Sequence, residues 1–299
     1  MPIAHSIANK PSQAGLLKQY WKLTKAPVVI LMLITALVGA LLATEFNPDL
    51  LALSTALSGI GSLAAAGAAF NHAIDMQRDQ KMKRTKNRPL VTQAMSKLQV
   101  IKFASLLMVT GFWLLFWFNN VQSAVLSLFA MTGYALVYSQ WLKPRTPQNI
   151  TIGGLAGALP PLLGWVAMTG EVTAYAWLLV LIIFVWTPPH FWALAYYRQQ
   201  DYKAARVPML CVTHGKHFTS LHLLLYTWLL SLVTLLPYLV GYTQEIYLFG
   251  SLLLNARFLQ LALRLHKQQT DRIAQQTFRY SIHYLFILFA LILIEPFIM

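Results

Sequence analysis

The sequence predicts an all-α integral membrane protein, a bundle of nine transmembrane helices. Three observations predict it. Apolar residues fill 57% of 299 positions and charged residues only 11%, with mean hydropathy +0.55; a soluble domain carries roughly a quarter charged residues. Uninterrupted apolar runs come close to the about 17–25 residues that a spanning helix needs. All 23 Lys and Arg fall in alternate connections between those runs and the helix ends beside them.

The runs lie near 27–43, 50–70, 100–118, 122–140, 150–168, 174–195, 218–240, 245–263 and 280–298. The first follows a tail over 1–26 that is expected to be cytoplasmic and, through its opening stretch MPIAHSIANKPSQ, partly disordered. It ends before Glu45 and Asp49, and the second run carries the small-residue stretch LSGIGSLAAAGAAF. The third and fourth are separated by only a few residues, which forces an antiparallel pair. The fifth holds Gly153, Gly154 and Gly157, a pattern for close helix packing, then Pro160 and Pro161, where a kink or break is expected. The sixth follows Glu171 and contains Pro188 and Pro189, a second expected break; Glu245 marks the turn between the seventh and eighth. Residues 27–299 read as one nine-helix domain, and the two long basic connections after runs two and six suggest two four-helix halves plus a ninth helix.

Cation placement orients the bundle. Four cations lie in the tail, eight from Arg78 to Lys102, then Lys143 and Arg145, four from Arg198 to Lys216 and five from Arg257 to Arg279. The remaining connections hold acids only: Glu45, Asp49, Glu171 and Glu245. Positive charge marks the cytoplasmic side, so the expected topology is N-terminus inside and C-terminus outside. The net charge of +14 therefore reads as attraction to an anionic bilayer face rather than to nucleic acid. Cys211 is alone, which excludes a disulfide framework and a multi-cysteine metal centre. No cleavable signal precedes the first run.

One stretch needs a chemical explanation: NHAIDMQRDQKMKRTKNRPL, from Asn71 to Leu90. If the second helix continues past the membrane edge, Asn71, Asp75 and Asp79 share one face, about 6 Å apart along the axis. Paired carboxylates with an amide oxygen suit Mg²⁺, which completes its shell with water and substrate phosphate. Arg78, Arg84 and Arg88 follow, ready to hold phosphate oxygens. A solvated face of salt bridges is the ordinary reading of such a cluster. Two of only nine acids placed where a membrane helix opens favour the metal and diphosphate site.

The pattern from Asn71 to Pro89, with Met82, Arg84, Thr85 and Arg88 in register, resembles the first signature of the UbiA superfamily of intramembrane prenyltransferases, and specifically its haem O synthase branch. KPRTPQNITIGG, from Lys143 to Gly154, and the Asp201, Tyr202, Ala205 motif are similar to the same branch. Most members carry a second pair of aspartates four residues apart; here Ala205 takes the place of the second, so the expected metal set is Asn71, Asp75, Asp79 and Asp201. Lys143 and Arg145 join the expected diphosphate group, although anchoring at the membrane face explains them equally well.

His190, preceded by the two prolines, has two readings: a hydrogen bond to a carbonyl they free, or contact with haem through iron or propionate. Trp186, Phe191, Trp192 and Tyr196 are candidates to wall a prenyl or porphyrin pocket. The resemblance implies Mg²⁺-dependent farnesyl transfer from farnesyl diphosphate to the 2-vinyl group of protohaem IX (haem B), with water addition, giving haem O. It also implies a bacterial inner membrane or a mitochondrial one, with a terminal oxidase or haem-modifying enzyme as partner. Prenylation of a quinone precursor, ion transport and non-catalytic haem binding are the alternatives. A transporter would place acids at mid-membrane in both halves, whereas Asp75, Asp79 and Asp201 gather at one end.

Overall fold

The computed structural model describes residues 13–298. Residues 1–12 of the expected tail lie outside that range; the rest of the tail forms a helix, α1 (Gln13–Leu23), which lies along the basic end of the bundle. Helix α2 (Ala26–Ala43) is the first span. Helix α3 (Leu50–Asp79) starts at Asp49, whose carboxylate accepts from Ala52 N at 2.7 Å, and runs on without interruption through Asn71 and Asp75 to Asp79, where the rest of the charged stretch turns away. After a turn-rich loop, Ser96 and Gln99 form a reciprocal cap on α4 (Lys97–Phe118). Helix α5 (Val121–Thr132) passes into a π-helical segment (Gly133–Leu142) and a last turn, α6 (Lys143–Arg145), which together make the fourth span.

The fifth span is broken as expected: α7 (Asn149–Ala158) stops at Leu159 and α8 (Pro160–Thr169) restarts with proline at its first positions, where the missing N–H costs nothing. The expected break at Pro188 and Pro189 does not occur, since α9 (Ala174–Tyr197) continues through both. Neighbouring helices can hold such a segment in place; just before the prolines the Thr187 hydroxyl donates back to the Ile183 carbonyl at 2.7 Å. The chain does turn at Arg198, before the short α10 (Gln199–Ala204) and α11 (Leu210–Thr213). Helices α12 (Gly215–Val233), α13 (Leu236–Leu239), α14 (Glu245–Gln268) and α15 (Asp271–Ile298) complete the chain. Among the described residues, nine segments are long and apolar enough to cross a membrane.

The first four spans do not close on themselves. Helix α2 packs mainly against α8 of the fifth span, and α15 reaches both α9 and α2. The α2–α8 contact is a backbone approach: a Cβ on Gly39 would stand 1.9 Å from the Pro161 carbonyl oxygen, and one on Gly164 1.9 Å from that of Ala36. Small residues let membrane helices meet this closely. The arrangement leaves the C-terminal ends of α3 and α9 at the same end of the bundle as α6, where the basic connections collect.

Candidate active site

The uninterrupted run of α3 places Asn71, Asp75 and Asp79 on successive turns, all three buried. Asp75 is fully enclosed; its Oδ1 takes Arg78 at 2.9 Å and its Oδ2 takes Lys143 at 2.5 Å. Asp79 Oδ2 takes Arg88 at 2.5 Å. The loop that brings Arg88 back is pinned by Thr85, whose hydroxyl donates to the Asp79 carbonyl at 2.8 Å. Buried charges persist only when paired and hydrogen-bonded, and both carboxylates meet that condition through cations.

Asn71 is held from three directions. Its Nδ2 donates to Asp75 Oδ2 at 2.9 Å and to Ser139 Oγ at 2.8 Å, and its Oδ1 accepts from Lys25 Nζ at 2.6 Å. An ammonium can only donate, so the amide oxygen must face Lys25 and the nitrogen must face Asp75. The oxygen expected to join a metal is thus turned toward Lys25. Lys25 also donates to Tyr134 at 3.2 Å. The π-helical segment makes this possible: Ser139 closes back on the Tyr134 carbonyl at 2.9 Å, five residues earlier, and its register brings Tyr134, Ser139 and Lys143 onto the face of α3. Such segments gather at functional sites.

Lys25 stands in a left-handed backbone conformation, φ 50°, costly for a residue with a side chain by about 1–3 kcal/mol. That turn, between α1 and α2, aims its side chain into the cluster. Burial, then the nearby Arg88, pushes its ammonium down from the ordinary value to about 7, while Asp75 and Asp79 pull the other way. Beside it lies a cavity of about 220 Å³ lined by Lys22, Lys25, His72, Arg84, Asn87, Arg88 and Pro89. Both ring nitrogens of His72 are buried with no hydrogen-bond partner. Four cations around one cavity, with a donor-capable ring beside them, suit a polyanion such as a diphosphate.

The second half is assembled differently from the expectation. Asp201 pairs with Arg198 at 3.5 Å and lines a separate cavity of about 300 Å³ with Lys83, Tyr197, Gln200 and Gln275. Among the described residues, no three His, Cys, Asp or Glu side chains converge on one point, so Asp201 is not joined to Asp75 and Asp79. The turn at Arg198 separates it from the line of α9. Arg145 is occupied by the carbonyls of Gln140 and Trp141 and does not reach the cluster.

His190 sits among Trp186, Phe191 and Phe278, with Trp186 stacked on it at 4.3 Å. Its Nδ1 meets Ser281 Oγ at 2.7 Å, rather than a carbonyl freed by the prolines. Trp192 and Tyr196 pack elsewhere, with Leu210, Leu223 and Ala274, and Lys216 covers the Tyr196 ring at 4.7 Å. Geometry explains the split. Residues four apart share a helix face, as Trp186 and His190 do, whereas residues two apart point to opposite sides.

Buried carboxylates and cations gather at one end of a helical bundle in which nine segments of the described residues are long and apolar enough to span a membrane, an arrangement of the kind expected of membrane prenyltransferases. The sequence profile of the UbiA prenyltransferase family matches residues 32–290, and the chain belongs to that family. It is 48% identical to protoheme IX farnesyltransferase 2 of Pseudoalteromonas atlantica, over 97% of this chain and 95% of that protein. It is 49% identical to protoheme IX farnesyltransferase of Marinobacter nauticus, over 94% and 93%. Solved structures with the same fold include digeranylgeranylglyceryl phosphate synthase (TM-score 0.79, 19% identity, 93% of this chain and 98% of that one). A UbiA homolog from Archaeoglobus fulgidus bound to GPP and Mg²⁺ is also similar (TM-score 0.64, 15% identity, 92% and 99%).

Proposed function

We propose that this protein transfers the farnesyl group of farnesyl diphosphate to the 2-vinyl group of haem B, with addition of water, and so makes haem O for terminal oxidases. The observation that carries the diphosphate half is the α3 face on which Asp75 and Asp79 meet Arg78, Arg88 and Lys143, beside the cavity of Lys22, Lys25 and Arg84. The near-complete match to protoheme IX farnesyltransferases supports haem as the acceptor rather than a quinone precursor.

Asp75 and Asp79 present hard oxygen donors one helical turn apart, a set that fits Mg²⁺; Asn71 would contribute its oxygen on giving up Lys25, whereas Asp201, paired with Arg198 on a separate cavity, stands outside this set. When bound, Mg²⁺ supplies Lewis-acid neutralisation of charge on the leaving diphosphate. Arg84, Arg88, Lys143 and Lys25 hold the remaining oxygens as the carbon–oxygen bond breaks, with Arg78 at the rim. The vinyl carbon attacks the allylic carbon, water adds to the resulting porphyrin-conjugated cation, and one proton is released. Burial of Asp75 and Asn71 between α3 and the π-helical segment would help keep water from the allylic cation first. We place the basic end in the cytoplasm of a bacterium, with the N-terminus inside and the bundle in the inner membrane.

Membranes containing the protein, supplied with Mg²⁺, farnesyl diphosphate and haem B, are expected to yield haem O by chromatography, and Asp75→Ala or Asp79→Ala to yield none while inserting normally. Full turnover in both variants would overturn the diphosphate assignment. A prenylated quinone precursor, with haem B unchanged, would overturn the acceptor.

A further inference from the structure

The His190–Ser281 contact carries information about where protons sit. Ser281 Oγ lies 2.7 Å from His190 Nδ1 and 2.7 Å from the Phe278 carbonyl oxygen. Two short contacts need two protons, and a hydroxyl has one. The carbonyl has none to give, so the hydroxyl proton goes to Phe278 and the second must come from His190 Nδ1. Trp186, Phe191, Phe278 and Ser281 surround the ring, and none of them is charged. A neutral imidazole with its proton on Nδ1 leaves a lone pair on Nε2, and among the described residues no hydrogen bond engages that atom.

Two further features fix the ring rather than merely fill space. Trp186 stacks on the imidazole at 21°, and its Nε1 donates to the Ser281 backbone carbonyl at 2.8 Å. The tryptophan, the histidine and the serine thus form one closed unit between α9 and α15, in which the serine hydroxyl alone decides the tautomer. A histidine that ligates a metal characteristically donates its other ring N–H to an oxygen partner, which sets orientation and raises basicity. We propose that Ser281 is a positioning residue that locks His190 as the Nδ1–H tautomer and thereby offers Nε2 to the iron of the bound haem substrate. The inference rests on the haem reading above and deepens it: the acceptor is held through its iron, by a residue that takes no part in breaking the diphosphate.

Nitrogen-15 NMR of histidine-labelled protein in detergent tests the tautomer without haem or mutation; Nδ1–H at His190 is expected, and Nε2–H overturns the proposal. Titration of the full-length protein with haem B then reads ligation through the Soret band and, in the ferrous state, the iron–histidine stretching frequency. The wild type is expected to show a histidine-ligated spectrum that His190→Ala loses and added imidazole restores. Ser281→Ala, which leaves the backbone carbonyl bonded to Trp186, is expected to weaken haem binding about ten-fold or more and lower the iron–histidine frequency. Ser281→Thr, which keeps the hydroxyl, is expected to restore both. Farnesyl diphosphate binding, retained in all variants, reports that they fold. Haem bound without histidine ligation, or a Ser281→Ala complex identical to wild type, overturns this inference and leaves the proposed function standing. Absence of haem binding altogether removes both.

Discussion

Lys143→Met is the most informative perturbation of the cluster. Lys143 Nζ stands 2.5 Å from Asp75 Oδ2; its side chain is 17% exposed and that of Asp75 fully buried. Removing one partner of a buried pair costs about 3–5 kcal/mol when the other charge is left alone. Asp75 would keep Arg78 at 2.9 Å and the Asn71 amide at 2.9 Å. The loss is therefore closer to one charge-assisted hydrogen bond, about 1.5–3 kcal/mol. Chemical unfolding in detergent measures it. Adding Asp75→Asn to Lys143→Met removes the carboxylate oxygen that lost its ammonium partner and is expected to recover part of the loss, a coupling within the range of about 0.5–3 kcal/mol seen for residues in contact. Turnover behaves differently, because Lys143 is also assigned to the leaving diphosphate: Lys143→Met is expected to lose about 10²–10³-fold, and the double variant to recover none of it. Strict additivity of the two substitutions in stability, or turnover within a few-fold of wild type, would refute this account of the pair.

Four other expectations follow. Lys25 loses its proton near pH 7, so farnesyl diphosphate affinity should fall as pH rises through neutrality and stay level in Lys25→Arg; equal slopes in the two proteins would refute its role. The unfolded chain holds that proton up to the ordinary 10.5, so Lys25's contribution to stability is least favourable below pH 7 and improves between 7 and 10.5, which unfolding midpoints across that window can check. EDTA should abolish turnover and Mg²⁺ restore it, and undiminished turnover in EDTA would remove the metal from the reading. Gly164→Ala should lower the unfolding midpoint by overpacking worth about 1–3 kcal/mol, since its Cβ would meet the backbone of Ala36, whereas Gly157→Ala has nothing within 4 Å and should be neutral.

The spans and the carboxylate face were legible because each depends on neighbours in sequence. An apolar run is its own evidence, and Asp75 and Asp79 share a face through helical spacing alone. Lys25 was hidden for the opposite reason: its partners Asn71 and Tyr134 lie 46 and 109 residues away. At the mouth of the first span it looks like one more cation required by topology. The π-helical segment carries no composition signal, yet it decides which residues of the fourth span reach Asn71 and Asp75. Trp192 and Tyr196 pack apart from His190, a separation that aromatic content does not reveal because it says nothing of rotation about the helix. The prolines of α9 were read as a break from local rules, and packing against α12 and α15 overrides those rules.

The charge pattern of the cluster points to an exchange of partners rather than to a preformed metal cage. Asp75 and Asp79 are balanced by Arg78, Arg88 and Lys143, while Lys25 on Asn71 and Arg84 at the cavity have no carboxylate hydrogen-bonded to them. Cations thus outnumber acids around two buried carboxylates, with Lys25 half-buried and Arg84 exposed at the cavity mouth, an imbalance that an arriving diphosphate would neutralise. Its oxygens would draw Arg88 and Lys143 from the aspartates, and the freed carboxylates would then attract a divalent cation. On this view metal and diphosphate bind cooperatively, each creating the other's site. Farnesyl diphosphate should therefore bind far more weakly without Mg²⁺, and Mg²⁺ should bind poorly without a diphosphate. Calorimetry of each in the presence and absence of the other decides it, since linked binding demands the same coupling factor in both directions; independent affinities would refute the exchange.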